Sequence, residues 1–318
     1  MQLTKSRFIT ALTCPTKLFY MADKNYANQS VEDTFLAALA EGGFQVGELA
    51  KQYFPDGVNI VTLDATKAVH QTSELLKNEN VTIFEAAIKY ENFFIRIDVL
   101  EKKGHLIKIH EVKAKSVDGN QPSQFLKRDG APNSIWKKYL YDVAFQKWVC
   151  SRALPGHSIA ANLMLADKSK RIAASGLNQK FRVHEINGRK QVQVEGDILK
   201  VHLSPKILTS VNVDNICNGI FTSTDHGLRV EETFDQMVQR FSLACQHGNL
   251  IQSELGTHCG KCEFVCSNDD KFFGKQDGRS ECFKRVLGVD PTIFEKPTIF
   301  DLWNFRGKQK FIDEGIIS

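Results

Sequence analysis

The chain has 318 residues, 42% of them hydrophobic and 25% charged, with a net charge of +4. That length allows one large domain or two modest ones, and the composition is that of a globular protein with a sizeable core. The mild charge permits a nucleic-acid partner without demanding one, and no apolar run reaches the roughly 18 residues of a transmembrane helix. The opening MQLTKSRFITALTCP carries no long apolar stretch and no small-residue cleavage site. A signal peptide is therefore excluded, and a reducing cytoplasm is the expected location. There the eight cysteines are expected as metal ligands or buried apolar residues rather than disulfides.

From Thr4 to about Asp23, Phe8, Ile9, Leu12 and Leu18 recur at helical spacing, interrupted by Pro15. DTFLAALAEGG and FQVGELAKQYFPDG predict a helix pair, punctuated by Gly42-Gly43 and stopped by Pro55 to Gly57. VNIVTLD predicts a short strand and ATKAVHQTSELLKNEN a helix. Three strands follow at Val81–Tyr90, Asn92–Glu101 and Leu106–Ala114, the last two joined by a turn at Lys103-Gly104. A polar loop then opens a helix in SIWKKYLYDVAFQKWVCSRAL, capped at Asn133 or Ser134. SIAANLMLADKS predicts another strand, 176–204 a hairpin turning at Asn187-Gly188, and ETFDQMVQRFSLACQH a helix. The cysteine-rich remainder is irregular. Residues 286–318 read as a helical extension that would open a further domain if the chain continues past Ser318.

The strand pair carries a chemical oddity. Asp98 stands with Arg96 on the polar face of its strand, and Glu111 and Lys113 lie two apart on the next, so both point to one face. If the strands are neighbours, Asp98 and Glu111 can hold a divalent cation together with a main-chain carbonyl. Such hard oxygen ligands suit Mg²⁺ or Mn²⁺. The cation would acidify a water and polarise a phosphate, and Lys113 would orient the water or stabilise transition-state charge. Glu85, on the preceding strand, offers a further carboxylate. The following helix sets Tyr139, Asp142 and Gln146 at i, i+3 and i+7 on one stripe. The plain alternatives are a solvated hairpin face and a solvated helix face.

This order of motifs resembles the PD-(D/E)xK nuclease superfamily, in its RecB-like branch. RID supplies Asp98, EVK supplies Glu111 and Lys113, and YLYDVAFQ is similar to the helix motif that follows the core, without the usual Gln-x-x-x-Tyr order. The resemblance implies an α/β, restriction-endonuclease-like fold: a central mixed sheet flanked by helices, with cysteine-rich flanks joined by a metal cluster. It implies a metal-dependent deoxyribonuclease, of exonuclease type, acting on DNA with Mg²⁺ or Mn²⁺. Asp98, Glu111 and the Val112 carbonyl would hold the cation, and Lys113, Gln146 and Tyr139 would complete the catalytic set. One departure is Gly47, which stands where the family's upstream helix carries a metal-binding His; Glu48 or Glu85 would then serve as an outer ligand. That departure favours a rival, a non-catalytic nucleic-acid-binding or scaffold module that keeps the fold and a four-cysteine zinc or iron–sulfur site.

HCGKCEFVC provides Cys259, Cys262 and Cys266, and Cys282 follows in SECF. A C-x-x-C turn presents two thiolates to one centre, so by spacing alone these four could form a zinc site. Cys14, in LTCPTKLFYM, offers another solution. One cysteine before the core and three after it is similar to the iron–sulfur RecB-like nucleases, the AddAB-type subunit and CRISPR-associated exonucleases among them. The resemblance assigns Cys14, Cys259, Cys262 and Cys282 to a structural 4Fe–4S cluster, with Cys266 as competitor for the last place. Cys150, Cys217 and Cys245 read as buried residues. The nuclease domain would span 1–285, with its core at about 81–167 and an insertion at about 176–252. The succession LTKSRF, FEAAI, RID, EVKAKS, YDVAFQ, HCGKCEF and SECF resembles an uncharacterised bacterial family of RecB-like proteins. In that family it often precedes a further C-terminal domain, and nucleic-acid-processing partners would fit the same reading. The basic clusters at Lys137-Lys138, Lys168–Arg171 and Lys308–Lys310 are expected as solvated surface, and His110 is expected on the strand face opposite Glu111.

Overall fold

The structure, a computed structural model, describes the chain apart from residues 32–33, 173–174, 187–188 and 199. Strand β1 (Leu3–Thr4) runs directly into helix α1 (Lys5–Thr13), where the Thr4 hydroxyl accepts the Arg7 N–H as an N-cap. Cys14 and Pro15 end α1, and α2 (Lys17–Ala22) follows, so the break falls where Pro15 predicts it. The expected helix pair is instead one helix, α3 (Thr34–Lys51), running through Gly42 and Gly43. Each glycine costs about 1 kcal/mol relative to alanine; packing of Leu49 and Ala50 onto Phe84, Val99 and Val112 offsets that. Strand β2 (Val58–Asn59) is shorter than expected, because Val61 and Leu63 face solvent. Helix α4 (Ala65–Leu75) starts at an Asp64 cap.

Strands β3 (Asn80–Tyr90), β4 (Phe93–Lys103) and β5 (Leu106–Val117) form an antiparallel meander. Helix α5 (Ser134–Ala153), capped by Asn133, crosses over to β6 (Ser158–Asp167), which lies parallel to β5. Strands β7 (Phe181–Ile186) and β8 (Arg189–Val194) form the expected hairpin; its Asn187-Gly188 turn lies outside the described residues. A turn of helix, α6 (Lys200–Leu203), leads to β9 (Leu208–Asn212), α7 (Asp214–Thr222) and α8 (Phe234–His247). The sheet runs β2-β3-β4-β5-β6-β9, with β1 pairing parallel to β4. The protein is thus α/β, with a mixed central sheet flanked by helices. Residues 176–252, expected as an insertion, contribute β9 to that sheet and α7 and α8 to its main core.

Two cores cover the sheet. One buries Phe8, Phe93, Phe145, Phe234 and Phe241 beneath α1, α5 and α8; the other buries Phe84, Val99, Val112 and Met164 with α3 and the hairpin residue Phe181. Phe8 is fully buried and stacks on Phe145 at 4.5 Å between ring centres. Phe8→Ala should lower stability by about 3–5 kcal/mol, the usual loss for an emptied aromatic site; a urea titration measures it.

The C-terminal region carries α9 (Asn268–Phe272), α10 (Gly278–Leu287) and α11 (Lys308–Asp313). A third apolar cluster joins Leu255, Cys259 and Phe283 to Ile299, Ile312 and Ile317. The final segment therefore packs back on the cysteine-rich region. Among the described residues no helix is long and apolar enough to cross a membrane.

Candidate functional site

Strands β4 and β5 part at the predicted residues. Their ladder ends at the Val99–His110 pair, so Asp98 and Glu111 are the next residues on the two arms of a fork. Beyond the fork β1 takes the place of β5 beside β4, pairing Leu3 with Phe93 and Thr4 with Phe94. That pairing delivers Lys5, the first residue of α1, between the arms. Its ammonium donates to both Glu111 carboxylate oxygens at 3.0 and 2.9 Å and stands 3.7 Å from Asp98 Oδ1. The Val112 N–H donates to Asp98 Oδ2 at 2.7 Å and pins the other side of that carboxylate.

Glu111 is the hub. Its side chain is fully buried, whereas that of Asp98 is 27% exposed to the cleft. Lys113 pairs with Glu111 and lies 3.1 Å from Asp142 Oδ2. The Gln146 amide donates to Glu111 at 2.6 Å and to Asp142 Oδ1 at 3.1 Å. Burial would raise the Glu111 carboxyl, but the Lys5 and Lys113 charges outweigh it and hold it at about 2. Burial, then the Glu111 charge, pushes Asp98 up to about 6 and Asp142 up to about 7. Burial alone would lower Lys5 and Lys113; the surrounding carboxylates hold both above the usual lysine range.

The site opens on one cleft lined by Lys5, Glu48, Glu85, Asp98, Glu111, Val112 and Lys113. Gly47 lines it too, so the position of the expected His does face the site. Glu48 is paired 3.1 Å from Lys51 within its own helix. Tyr139 stands elsewhere: it lines a neighbouring groove, where its ring meets the Lys115 and Lys138 ammoniums. Of that helix stripe, Gln146 reaches Glu111 and Asp142 reaches Lys113. His110 faces away, as expected, and bonds Glu101 and Ser210 at 2.7 Å each.

Glu85 falls opposite Asp98, since the register on either side pairs Phe84 with Val99 and Ala86 with Ile97. Its φ of 55° is left-handed, inside a central strand. A non-glycine residue there carries roughly 1–2 kcal/mol of strain. Glu85→Gly should therefore leave thermal stability unchanged or raise it by up to about 1 kcal/mol, whereas glycine in an unstrained strand lowers it. A melting curve beside Glu85→Ala separates the two.

Cys14, Cys259, Cys262 and Cys282 line one cavity at the junction of α2 and α10. Cys266 stands apart, its Sγ 3.4 Å from the Lys275 carbonyl. Burial raises the Cys282 thiol to about 12, and the neighbouring Cys14, Cys259 and Cys262 add to the rise. The same cavity is lined by Lys17, His258 and Arg279, and the buried His258 Nε2 and Arg279 Nε lack hydrogen-bond partners. The N-terminal flank is also tied there by polar contacts: Lys17 to Glu263, Tyr26 to Glu281 at 2.5 Å, and Thr16 to Ser253 at 2.9 Å. Cys150, Cys217 and Cys245 are buried in the main core. Among the described residues no three His, Cys, Asp or Glu side chains converge closely enough to hold a single ion. At the fork Lys5 occupies the space between the carboxylates, and the four thiols surround a cavity.

Compared with protein families, curated proteins and solved structures, the chain matches none.

Proposed function

We propose that the protein is a metal-dependent deoxyribonuclease of the PD-(D/E)xK, RecB-like type, with a restriction-endonuclease-like core braced by a 4Fe–4S cluster. The observation that carries the reading is the β4–β5 fork, which collects Asp98, Glu111, Lys113 and Gln146 at the head of an open cleft. The residues fit a small hard cation, because the donors are carboxylate oxygens and the Lys5 ammonium already stands between them as a cation of the chain itself. Asp98, Glu111 and the Val112 carbonyl would hold Mg²⁺ or Mn²⁺, which when bound supplies Lewis-acid polarisation of a phosphate and a more acidic water. Gln146 fixes the Glu111 carboxylate, and Lys113 would meet negative charge developing on the phosphate. Lys51 and Arg96 in the cleft suit a DNA backbone, and exposed Phe44, Val61 and Leu63 at its walls suit unstacked bases.

The thiol cavity fits a cluster on its donor chemistry. Four soft sulfurs, two cationic side chains and two unpartnered buried nitrogens surround it. The four residues from the two ends of the chain would hold the cluster, which would brace the fold.

Incubation of single- and double-stranded DNA with the purified protein tests the function. Cleavage in Mg²⁺ or Mn²⁺ that stops with EDTA is expected. Intact DNA in both metals would favour the non-catalytic nucleic-acid-binding module.

A further inference from the structure

The function proposed above gives Lys5 neither a ligand nor a catalytic role. It belongs to no strand motif, and it reaches Glu111 across 106 residues of chain. Glu111 does not need it, since Lys113 and Gln146 already satisfy that carboxylate. Nor does α1 benefit, because a cation at the first helical position opposes the helix dipole. What the position does provide is a positive charge between two carboxylates on diverging strands, at the end of a flexible stem. The side chain is 25% exposed to the cleft, so the ammonium has a way out.

We propose that Lys5 is a tethered cation that holds the divalent-ion position, so that its ammonium must swing out before Asp98 and Glu111 can take Mg²⁺ or Mn²⁺. The class of ion rests on the nuclease reading; the competition rests on the position of Lys5. Formal charge supports exchange over addition. With all three carboxylates ionised, Asp98, Glu111 and Asp142 against Lys5 and Lys113 sum to −1, three negative and two positive. Replacing the ammonium by a divalent ion gives 0, whereas adding the ion without exchange gives +1 in a largely buried site. A tethered competitor lowers apparent affinity by the fraction of time that it leaves the site open.

Titration of Mn²⁺ into the full chain, read by the electron-paramagnetic-resonance signal of free Mn²⁺, tests this without any cleavage. Lys5→Met should bind Mn²⁺ about tenfold more tightly than the parent, or better. Asp98→Asn added to Lys5→Met should remove that gain, which locates the ion at the fork. Lys77→Met, whose ammonium pairs with Glu74 outside the cleft, should leave affinity near the parent value. A Lys5→Met protein no tighter than the parent, an equal gain in Lys77→Met, or no saturable Mn²⁺ binding in parent and variant alike would overturn the proposal. If Lys5→Met does not fold, Lys5→Gln replaces it, since the amide still donates to Glu111. A parent that cleaves DNA without any Lys5 effect on Mn²⁺ would reject the tethered cation and spare the nuclease. Lys5-dependent Mn²⁺ binding without cleavage would do the reverse.

Discussion

Asp98→Asn and Glu111→Gln are each expected to abolish Mg²⁺-dependent cleavage while the protein stays folded. Each removes one of the two charged oxygen donors that the fork brings together, and the cation has no comparable ligand left on that arm. The amides are better tests than alanine. Asn at 98 still accepts the Val112 N–H that now bonds Asp98. Glu111 is fully buried against Lys5, Lys113 and Gln146, so alanine would strand two ammoniums. Breaking a buried pair from one side usually costs about 3–5 kcal/mol, and lost folding would then imitate lost catalysis. Lys113→Ala keeps both carboxylates. Turnover should fall by roughly 10²–10³-fold, the scale for one electrostatic group acting on the transition state, while Mn²⁺ binding persists. DNA affinity should change little in all three, because contacts along the backbone carry most of it.

The second large effect concerns the thiols. The purified parent should be brown, with broad visible absorbance from thiolate-to-iron charge transfer. Cys14→Ser should lose most of its iron and much of its stability, although Cys14 lies far along the chain from Cys259, Cys262 and Cys282. A bridge between Cys14 and Cys259 closes most of the chain into one loop. By analogy with a cross-link over a loop of that length, its removal costs about 5 kcal/mol. Cys266→Ser and Cys150→Ser should keep parent iron, since Cys266 stands outside the cavity and Cys150 is buried in the main core. Iron, sulfide and zinc assays with thermal melts check all four proteins. A colourless parent with one zinc per chain, or a Cys14→Ser protein with full iron, would contradict the cluster.

Much of this architecture can be read along the chain, because its strongest signals are local. Period-two alternation puts Glu111 and Lys113 on one face, and the adjacent hairpin sets Asp98 beside them. Pro15 ends α1, and Asn133 caps α5 as its side chain dictates. What escapes such reading is long-range. Lys5 enters the site only because a two-residue strand, β1, pairs with β4 where β5 has left it; no periodicity in TKSRF announces that. Strand β9 is five residues long and half-buried, too short to stand out from its loop, yet it extends the sheet. Gly42-Gly43 looks like a break because glycine is a poor helix former, but the packing of Leu49 and Ala50 further along α3 overrides it. Tyr139 shares a stripe with Asp142 and Gln146 but lies nearer the start of α5, where Lys115 faces it instead of Glu111. Glu85 looks like any strand residue; only its left-handed backbone marks it.

Cleavage of end-labelled DNA by the parent and by folded Asp98→Asn protein, side by side in Mg²⁺ and in Mn²⁺, tests the central claim most directly. The expected result is metal-dependent product from the parent and none from the variant, with matching melting curves. Equal cleavage by both proteins would contradict the site, and no cleavage by the parent in either metal would contradict the nuclease.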